Sequence, residues 1–170
     1  MGVCAQSRRI GAEIRHEPAA ILRSMSFDLA IWVGDTPTND HEARRTLRAL
    51  MDRSKETDPV DPRLRESILE ITQRYPDDLR EMRSGSIWAT CPLTPQGSML
   101  YMNLTWGVSD DVLDFIAGTA AKHGLVCYDP QASAVVDPAH PRALHESRAA
   151  GHGAFMRFLR MLGWRDPGED

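Results

Sequence analysis

The chain has no apolar run of the roughly 20 residues that a membrane-spanning helix needs. Its N-terminal stretch also lacks the lysine-then-apolar form of a secretory signal. We therefore expect a cytoplasmic protein that does not insert into a membrane. Cysteine usage agrees, because the three cysteines, Cys4, Cys91 and Cys127, are an odd and scattered set. The last two lie in strand-like apolar contexts, where a thiol is usually buried.

Clustered positive charge is missing as well. The formal net charge is −4 and the pI about 5.9, and nearly all of the basic residues are arginines. Between Glu42 and Arg53 these arginines alternate with acidic residues instead of forming one basic stripe. A duplex-binding surface needs clustered positive charge to displace counterions. The composition therefore argues against nucleic acid as a partner and is more compatible with a basic partner.

The sequence also lacks the usual signatures of catalysis and cofactor binding. The closest histidine pair, His140 and His145, has none of the Cys or Glu companions that a zinc site requires. No serine lies in a nucleophile elbow, and no phosphate loop or dinucleotide fingerprint occurs. We expect no cofactor and no metal, and the pattern favours a protein that is not an enzyme.

The length of 170 residues suits one domain with an ordinary hydrophobic core. Residues 1–24 show little apolar periodicity and are predicted to be a loosely held extension, or to precede a true start at Met25. Residues 25–138 carry the pattern of an α/β domain. Residues 139–170 carry that of a C-terminal helical segment.

Runs of β-forming residues predict the strands. Ser98–Trp106 is almost uncharged and is predicted to be the central strand, while Phe27–Val33 opens the domain. Ser86–Cys91 is predicted to form a hairpin with the central strand through a turn at 95–97. The remaining strand signals are a clear one at 125–128 and a short edge segment at 134–136.

Capping residues and apolar stripes predict four helices. Asn39 or Asp40 caps the first helix, whose narrow apolar stripe predicts a position at the surface. Asp61 caps the second helix, which has proline at its first position, and Ser109 caps the third. Pro141 opens the C-terminal helix.

The element order predicts an α/β (α+β) fold with a ferredoxin-like split βαβ sheet, an extra helix in the first crossover and a C-terminal helix. Right-handed crossovers place the helices on one side of the sheet, and strand alternation separates two faces. The first face, predicted to meet the helices, contains Phe27, Leu29, Ile31, Val33, Leu100, Met102, Leu104 and Trp106. The second face contains Asp28, Trp32, Tyr101, Asn103 and Thr105.

The second face is where a sheet-based function would lie. If the C-terminal helix folds over it with Phe155, Phe158 and Leu162, the aromatic residues of this face are ordinary core. If the face stays open, it forms a binding site with the adjoining strand-end loops. The candidate binding residues are then Trp32, Asp35, Tyr101, Asn103, Asp129 and Gln131. Asp129 precedes a proline, and a role as turn former is the more usual explanation for such an aspartate.

Three stretches carry a resemblance to a known family. Met25–Trp32, Tyr101–Trp106 and His123–Gln131 resemble a family of small uncharacterised bacterial cytoplasmic proteins, many from high-GC actinobacteria and proteobacteria. The resemblance covers roughly residues 25 to 136 and brings no catalytic residues with it. Some members of that family resemble immunity proteins of polymorphic toxin systems, which implies a binding function. The N-terminal extension and the C-terminal helix are not covered.

Three hypotheses of function follow. The first is a non-catalytic immunity protein that neutralises a cognate toxin, its acidic loops mimicking nucleic acid toward a basic nuclease or deaminase. The second is a small-molecule-binding or enzymatic ferredoxin-like domain that uses the second face. The third is single-stranded RNA binding through Trp32 and Tyr101. Net acidity and the absence of lysine or arginine from those strands weigh against RNA.

Overall fold

A computed structural model describes residues 26–53, 58–78, 86–106, 108–140, 145, 146, 149–151 and 153. The predictions for residues 1–24 and for Phe155, Phe158 and Leu162 lie outside these residues. The described elements include both helices and strands, giving a mixed α/β fold. In chain order they are β1 (Ser26–Trp32), α1 (Asp40–Arg53), α2 (Pro62–Arg74), β2 (Met99–Thr105), α3 (Asp110–Lys122), β3 (Val126–Asp129) and β4 (Ala134–Val135).

The four strands form one open antiparallel sheet in the order β2-β1-β3-β4. β1 is an interior strand and pairs with β2 along its whole length, from Ser26 opposite Thr105 to Trp32 opposite Met99. On its other side it pairs with β3 from Ala30 opposite Tyr128. β2, predicted to be central, therefore lies at one end of the described strand order. The predicted edge segment near residue 134 is confirmed as β4.

The strand predicted at Ser86–Cys91 is reduced to one isolated antiparallel bridge, with Trp88 opposite Leu104 of β2. Backbone hydrogen bonds of 2.8 Å flank it, from the Ala89 N–H to the Asn103 carbonyl and from the Thr105 N–H to the Ile87 carbonyl. The Trp88 indole also contacts the end of α2. Its Nε1 donates to the carbonyl oxygens of Tyr75 at 3.0 Å and of Pro76 at 3.2 Å, just after α2. The segment is therefore anchored both by this short pairing with β2 and by the buried Trp88 side chain.

The hairpin turn before β2 lies where it was predicted. Gln96 and Met99 exchange backbone hydrogen bonds of 2.7 and 3.0 Å around a two-residue loop. Gly97 occupies the first loop position with φ of 59°. L side chains rarely adopt that conformation, so glycine is the residue that this tight loop requires.

The first face is the one that meets α2 and α3, as strand alternation predicted. Leu29 and Ile31 of β1 and Met102 of β2 are fully buried there, with 0% of their surface exposed. The helices contribute buried side chains to the same cluster, among them Leu64, Ile71, Leu113 and Ile116. Full burial of one such side chain stabilises the fold by roughly 1.5–3 kcal/mol.

The second face is covered in part by α1, which the sequence had placed at the surface. Ala43 and Leu47 of α1 pack on Trp32 of β1 and Tyr128 of β3. These two aromatic rings meet at 5.7 Å between centroids. α1 does lie at the surface, since Arg44, Arg45 and Arg48 are exposed. The expectation that the crossovers place all helices on one side of the sheet is wrong for α1, because its narrow apolar stripe packs on the second face. Trp32 is therefore core, as one of the two alternatives held, but its cover is α1.

The described part of the C-terminal segment lies on the side of the first face. His145 Nε2 is 2.7 Å from Asp114 Oδ1 of α3. Gly151 packs against Trp106, so closely that an ideal Cβ on Gly151 would lie 2.7 Å from Cη2 of the indole. This segment starts alongside α3 and not over the second face.

The N-termini of α1 and α2 follow the predicted capping pattern, whereas Ser109 lies at the N-cap position of α3 without a side-chain capping hydrogen bond. Asn39 Oδ1 accepts a hydrogen bond from the Glu42 backbone N–H at 2.9 Å, which identifies Asn39 as the cap of α1. The Glu42 carboxylate accepts from the backbone N–H and hydroxyl of Thr38, which lowers its pKa. Asp61 caps α2 ahead of Pro62, again as predicted.

Two glycines in helices make a matched test of the contact with Trp106. Gly118 of α3 has nothing within 4 Å of an added Cβ, so Gly118→Ala should raise the free energy of unfolding by up to about 1 kcal/mol. Gly151→Ala meets the indole, which Phe27 holds edge-on, and overpacking costs about 1–3 kcal/mol. Urea unfolding should give Gly151→Ala a free energy of unfolding about 1–3 kcal/mol lower than that of Gly118→Ala. Equal stabilisation by both changes would contradict the close contact.

Glu70 supplies a pH-dependent link between α2 and α3. Its carboxylate accepts hydrogen bonds from Lys122 Nζ at 2.8 and 2.9 Å, and His123 Nε2 is 3.0 Å away. The Lys122 bond, and next the His123 bond, lower the pKa of Glu70. A lowered pKa gives stability that is present above the unfolded-state pKa, about 4.3, and is lost as the pH falls through the folded-state pKa.

We expect Glu70→Gln to destabilise the protein at neutral pH, with the difference from the wild type vanishing in acid. Urea unfolding between about pH 3 and pH 8 measures it, the upper limit lying well above the ordinary Glu pKa. Glu66→Gln is the control, since its carboxylate is 69% exposed and 3.7 Å from His123 Nδ1. A difference between Glu70→Gln and wild type that does not change with pH would contradict the proposed link.

Candidate functional site

The part of the second face that α1 leaves partly exposed carries a small polar cluster. Tyr101 Oη donates a hydrogen bond to Asp28 Oδ2 at 3.1 Å, and Asn103 Nδ2 donates to Asp28 Oδ1 at 2.8 Å. All three side chains are half-buried. We call Asp28, Tyr101 and Asn103 the Asp28 cluster.

The backbone register builds this cluster. Asp28 of β1 lies directly opposite Asn103 of β2, and Tyr101 lies two residues away on the same face. Diagonal neighbours on an antiparallel pair are within reach of an aromatic side chain. The sheet therefore holds the three side chains in place without help from a loop.

The groups that remain for a ligand are mainly acceptors. An ionised carboxylate has about four lone-pair positions, and the two bonds to Asp28 use one on each oxygen. The Asn103 carbonyl oxygen and the Tyr101 lone pairs are acceptors too. Charge and hydrogen-bonding capacity together suit a donor such as a guanidinium or ammonium group.

Tyr101 is held in its neutral form. Burial is the main cause, followed by the charge of Asp28, its hydrogen bond and the charge of Asp129, which together raise the pKa of Tyr101 to about 12. The phenol therefore stays a donor to Asp28 over the physiological range. The same causes indicate a negative potential at this part of the face.

Of the predicted binding residues, Tyr101 and Asn103 are brought together in the Asp28 cluster, whereas Trp32 is only 1% exposed beneath α1. A partner reaches Trp32 only if α1 moves. Asp35 is exposed in the loop after β1.

Asp129 and Gln131 lie in the turn between β3 and β4. Asp129 is 1% exposed, and its Oδ1 accepts from the backbone N–H groups of Gln131 at 2.7 Å and Ala132 at 3.1 Å. This is the turn-forming role that the Asp-Pro sequence predicted as the alternative. The Gln131 residue is exposed.

Asp28 is the residue that the list of candidates missed. Alternation had placed it on the second face, but its contact with Asn103 follows from the register, which a sequence pattern does not contain. A lone aspartate within an apolar strand was the available signal, because strands are depleted in aspartate.

A second feature lies between α1 and the turn after β3. It is a groove of about 590 Å³ whose lining includes Arg44, Arg45, Arg48, Met51, Tyr128 and Pro130. We call it the arginine groove. Sequence analysis treated these arginines as part of a solvated helix face, since acidic residues alternate with them.

The arginine groove has an unusual polar group at its wall. Tyr128 is 1% exposed, and its Oη has no hydrogen-bond partner of good geometry among the described residues. Burial raises the pKa of Tyr128, the nearby Ser133 hydroxyl and then the charge of Arg44 partly offset this effect, and the charges of Asp40 and Asp129 add to it. The phenol is thus buried, neutral and within electrostatic reach of an arginine.

Other chemistry finds little support in the described part of the chain. It contains no group of three or more His, Cys, Asp or Glu side chains placed to hold a metal ion. Cys127 is 4% exposed, and burial together with the charge of Asp129 raises its pKa to about 12. A thiol in that state is a poor nucleophile.

Comparisons of the chain with protein-family models, with curated proteins and with solved structures gave no match. None of the helices in the described ranges is both long enough and apolar enough to cross a membrane.

The pKa of Tyr101 gives a direct test of the Asp28 cluster. Tyrosinate formation is followed by ultraviolet absorbance in the wild type and in Tyr101→Phe. The difference between the two titrations should show one group ionising near pH 12. Asp28→Asn removes the neighbouring charge and should lower this pKa. Because burial is the largest cause, the pKa should remain above its ordinary value of about 10.

The exposed Asp35→Asn change is the control and should leave the titration unchanged. Because the folded-state pKa of Tyr101 is raised, the contribution of this residue to the free energy of unfolding is complete below about pH 10. It is lost as the pH rises through the folded-state pKa of Tyr101. An unaltered Tyr101 titration in Asp28→Asn would show that the cluster does not form as described.

Proposed function

We propose that this protein is a non-catalytic binding protein, most specifically an immunity protein that binds and neutralises a cognate bacterial toxin. The observation that carries the proposal is the Asp28 cluster, an acidic and acceptor-rich group on a partly exposed sheet face. The proposed partner therefore presents a lysine or arginine side chain at the matching position.

Geometry supports binding in preference to catalysis. The pKa of Tyr101 is raised to about 12, so this phenol is not poised to give up a proton near neutral pH. Asp28 accepts two hydrogen bonds that fix its carboxylate in place. A preorganised carboxylate, in contrast, loses little freedom when a cation binds it. Charge-assisted hydrogen bonds to such a group are about twice as strong as neutral ones.

Charge complementarity supports the choice of partner. The net charge of −4 and the combined influence of Asp28 and Asp129 at Tyr101 favour a basic surface. Nucleases and deaminases that act on nucleic acids present such surfaces to their substrates, and a protein that covers them must offer negative charge.

We also infer a ferredoxin-like arrangement of the sheet. The bridge at Trp88 lies on the outer side of β2, while β3 lies on the outer side of β1. If residues around Trp88 count as a degenerate strand, the order is that of the split βαβ pattern, with α2 and α3 on one face. β4 then extends the sheet by one short edge strand.

The proposal is tested by expressing the full chain with the open reading frame immediately upstream of its own and purifying through a tag on this chain. The expected result is a stoichiometric complex that survives high salt, with a partner that is toxic when expressed alone. Asp28→Asn should weaken the complex by at least about thirtyfold, because removing one member of a buried charge pair costs roughly 2–5 kcal/mol.

The matched control is Asp111→Asn, which removes an exposed carboxylate from α3 in the helix layer and should leave the affinity unchanged. Tyr101→Phe tests the positioning of Asp28 and should weaken binding less. Purification of the chain alone, or a complex equally tight with Asp28→Asn, would refute the proposal.

A further inference from the structure

The arginine groove is separate from the Asp28 cluster in both composition and charge. Arg44 and Arg48 are one helical turn apart on α1, and Arg45 stands beside them. None of the three forms an ion pair with a carboxylate in the described residues. We propose that this groove binds a small organic phosphate, a phosphate monoester whose body is apolar or aromatic.

The arginines supply the anion recognition. Side chains four residues apart on a helix lie on the same face and point in the same direction, so two guanidinium groups converge on one ligand. The planar guanidinium presents paired donors that match the oxygens of a phosphate. His41 lines the same groove and offers another donor when protonated. Asp52 also lines the groove, and the charges of Asp40 and Asp129 reach Tyr128, so these carboxylates oppose an anion and the arginines must outweigh them.

The wall of the groove supplies an apolar surface for the ligand body. Met51 is 50% exposed, which is high for so large an apolar side chain, and Leu47 and Pro130 continue the surface. The volume of about 590 Å³ lies within the roughly 300–1,000 Å³ typical of small-molecule sites. A cationic rim above an apolar wall fits a ligand that has one charged end.

Tyr128 is the independent observation that points to a ligand. A buried hydroxyl that lacks a partner of good geometry destabilises a protein, whereas phenylalanine of the same shape would avoid the loss. Its Oη lies under α1 at the wall of the groove and near Arg44. A phosphate oxygen held by Arg44 would accept the hydrogen bond that the phenol otherwise lacks.

The test is calorimetric titration of the full chain with phenyl phosphate, with inorganic phosphate and phenol as the separate halves of the ligand. Phenyl phosphate should bind at one site and at least about tenfold more tightly than either half. Arg44→Gln and Arg48→Gln should each weaken it at least about tenfold, the value expected for one charge-assisted hydrogen bond. Arg65→Gln, an exposed arginine of α2, is the matched control and should leave the affinity unchanged.

Tyr128→Phe separates a ligand contact from a structural role. The change should leave the free energy of unfolding of the free protein equal to that of the wild type or higher. It should nevertheless weaken the affinity for phenyl phosphate several-fold, a combination that loss of the fold would not produce. Absence of saturable binding, or binding that Arg44→Gln and Arg48→Gln leave unaltered, would overturn the proposal. Tight, salt-dependent binding of an oligonucleotide at the same arginines in the absence of phenyl phosphate binding would replace it with a nucleic-acid site.

Discussion

The antiparallel pairing of β1 with neighbours on both sides is the constraint on which the rest of the structure depends. Seven consecutive residue pairs join β1 to β2, and three more join it to β3. Since side chains alternate along a strand, a shift of one residue would move every apolar side chain of β1 to the wrong face. Leu29 and Ile31, both fully buried, hold the register against such a shift.

That register also divides the second face into two chemically different parts. Toward the C-terminal end of β1, Ala30 and Trp32 are covered by α1 and belong to the core. Toward its N-terminal end, Asp28 is partly exposed and bonded to β2. One helix of fourteen residues thus determines which part of the sheet is core and which part is open to a partner.

The features that could be predicted from the sequence are those that depend on local geometry. Alternation assigned the two faces of β1 and β2, and the caps at Asn39 and Asp61 depend on hydrogen bonds within a few residues. Tyr101 and Asn103 were identified because they share a face. Their meeting at Asp28 required the register of two strands more than 70 positions apart, with the Tyr101 bond spanning 73 residues and the Asn103 bond 75.

What sequence patterns missed depends on contacts between distant segments. The β-forming residues around Trp88 make a single bridge with β2, and the Trp88 indole bonds to backbone carbonyls 12 and 13 residues away. The narrow stripe of α1 resembles that of a surface helix, and only its docking on Trp32 and Tyr128 makes it a cover. The arginine groove also depends on a contact between distant segments, because one wall comes from α1 and the second from β3, and a sequence pattern does not predict it.

The two polar sites differ in how far their hydrogen bonds are satisfied within the described residues. Asp28 receives two donors from its own sheet, so its geometry is complete before any partner arrives and favours specific recognition of a cation. Tyr128 Oη is buried, and among the described residues it has no partner of good geometry, although the Ser133 hydroxyl is near enough to lower its pKa. A donor whose hydrogen bonding is incomplete, beside arginines that form no ion pair among the described residues, gains most from an anion. The opposite charges of the two sites therefore suit two chemically different ligands.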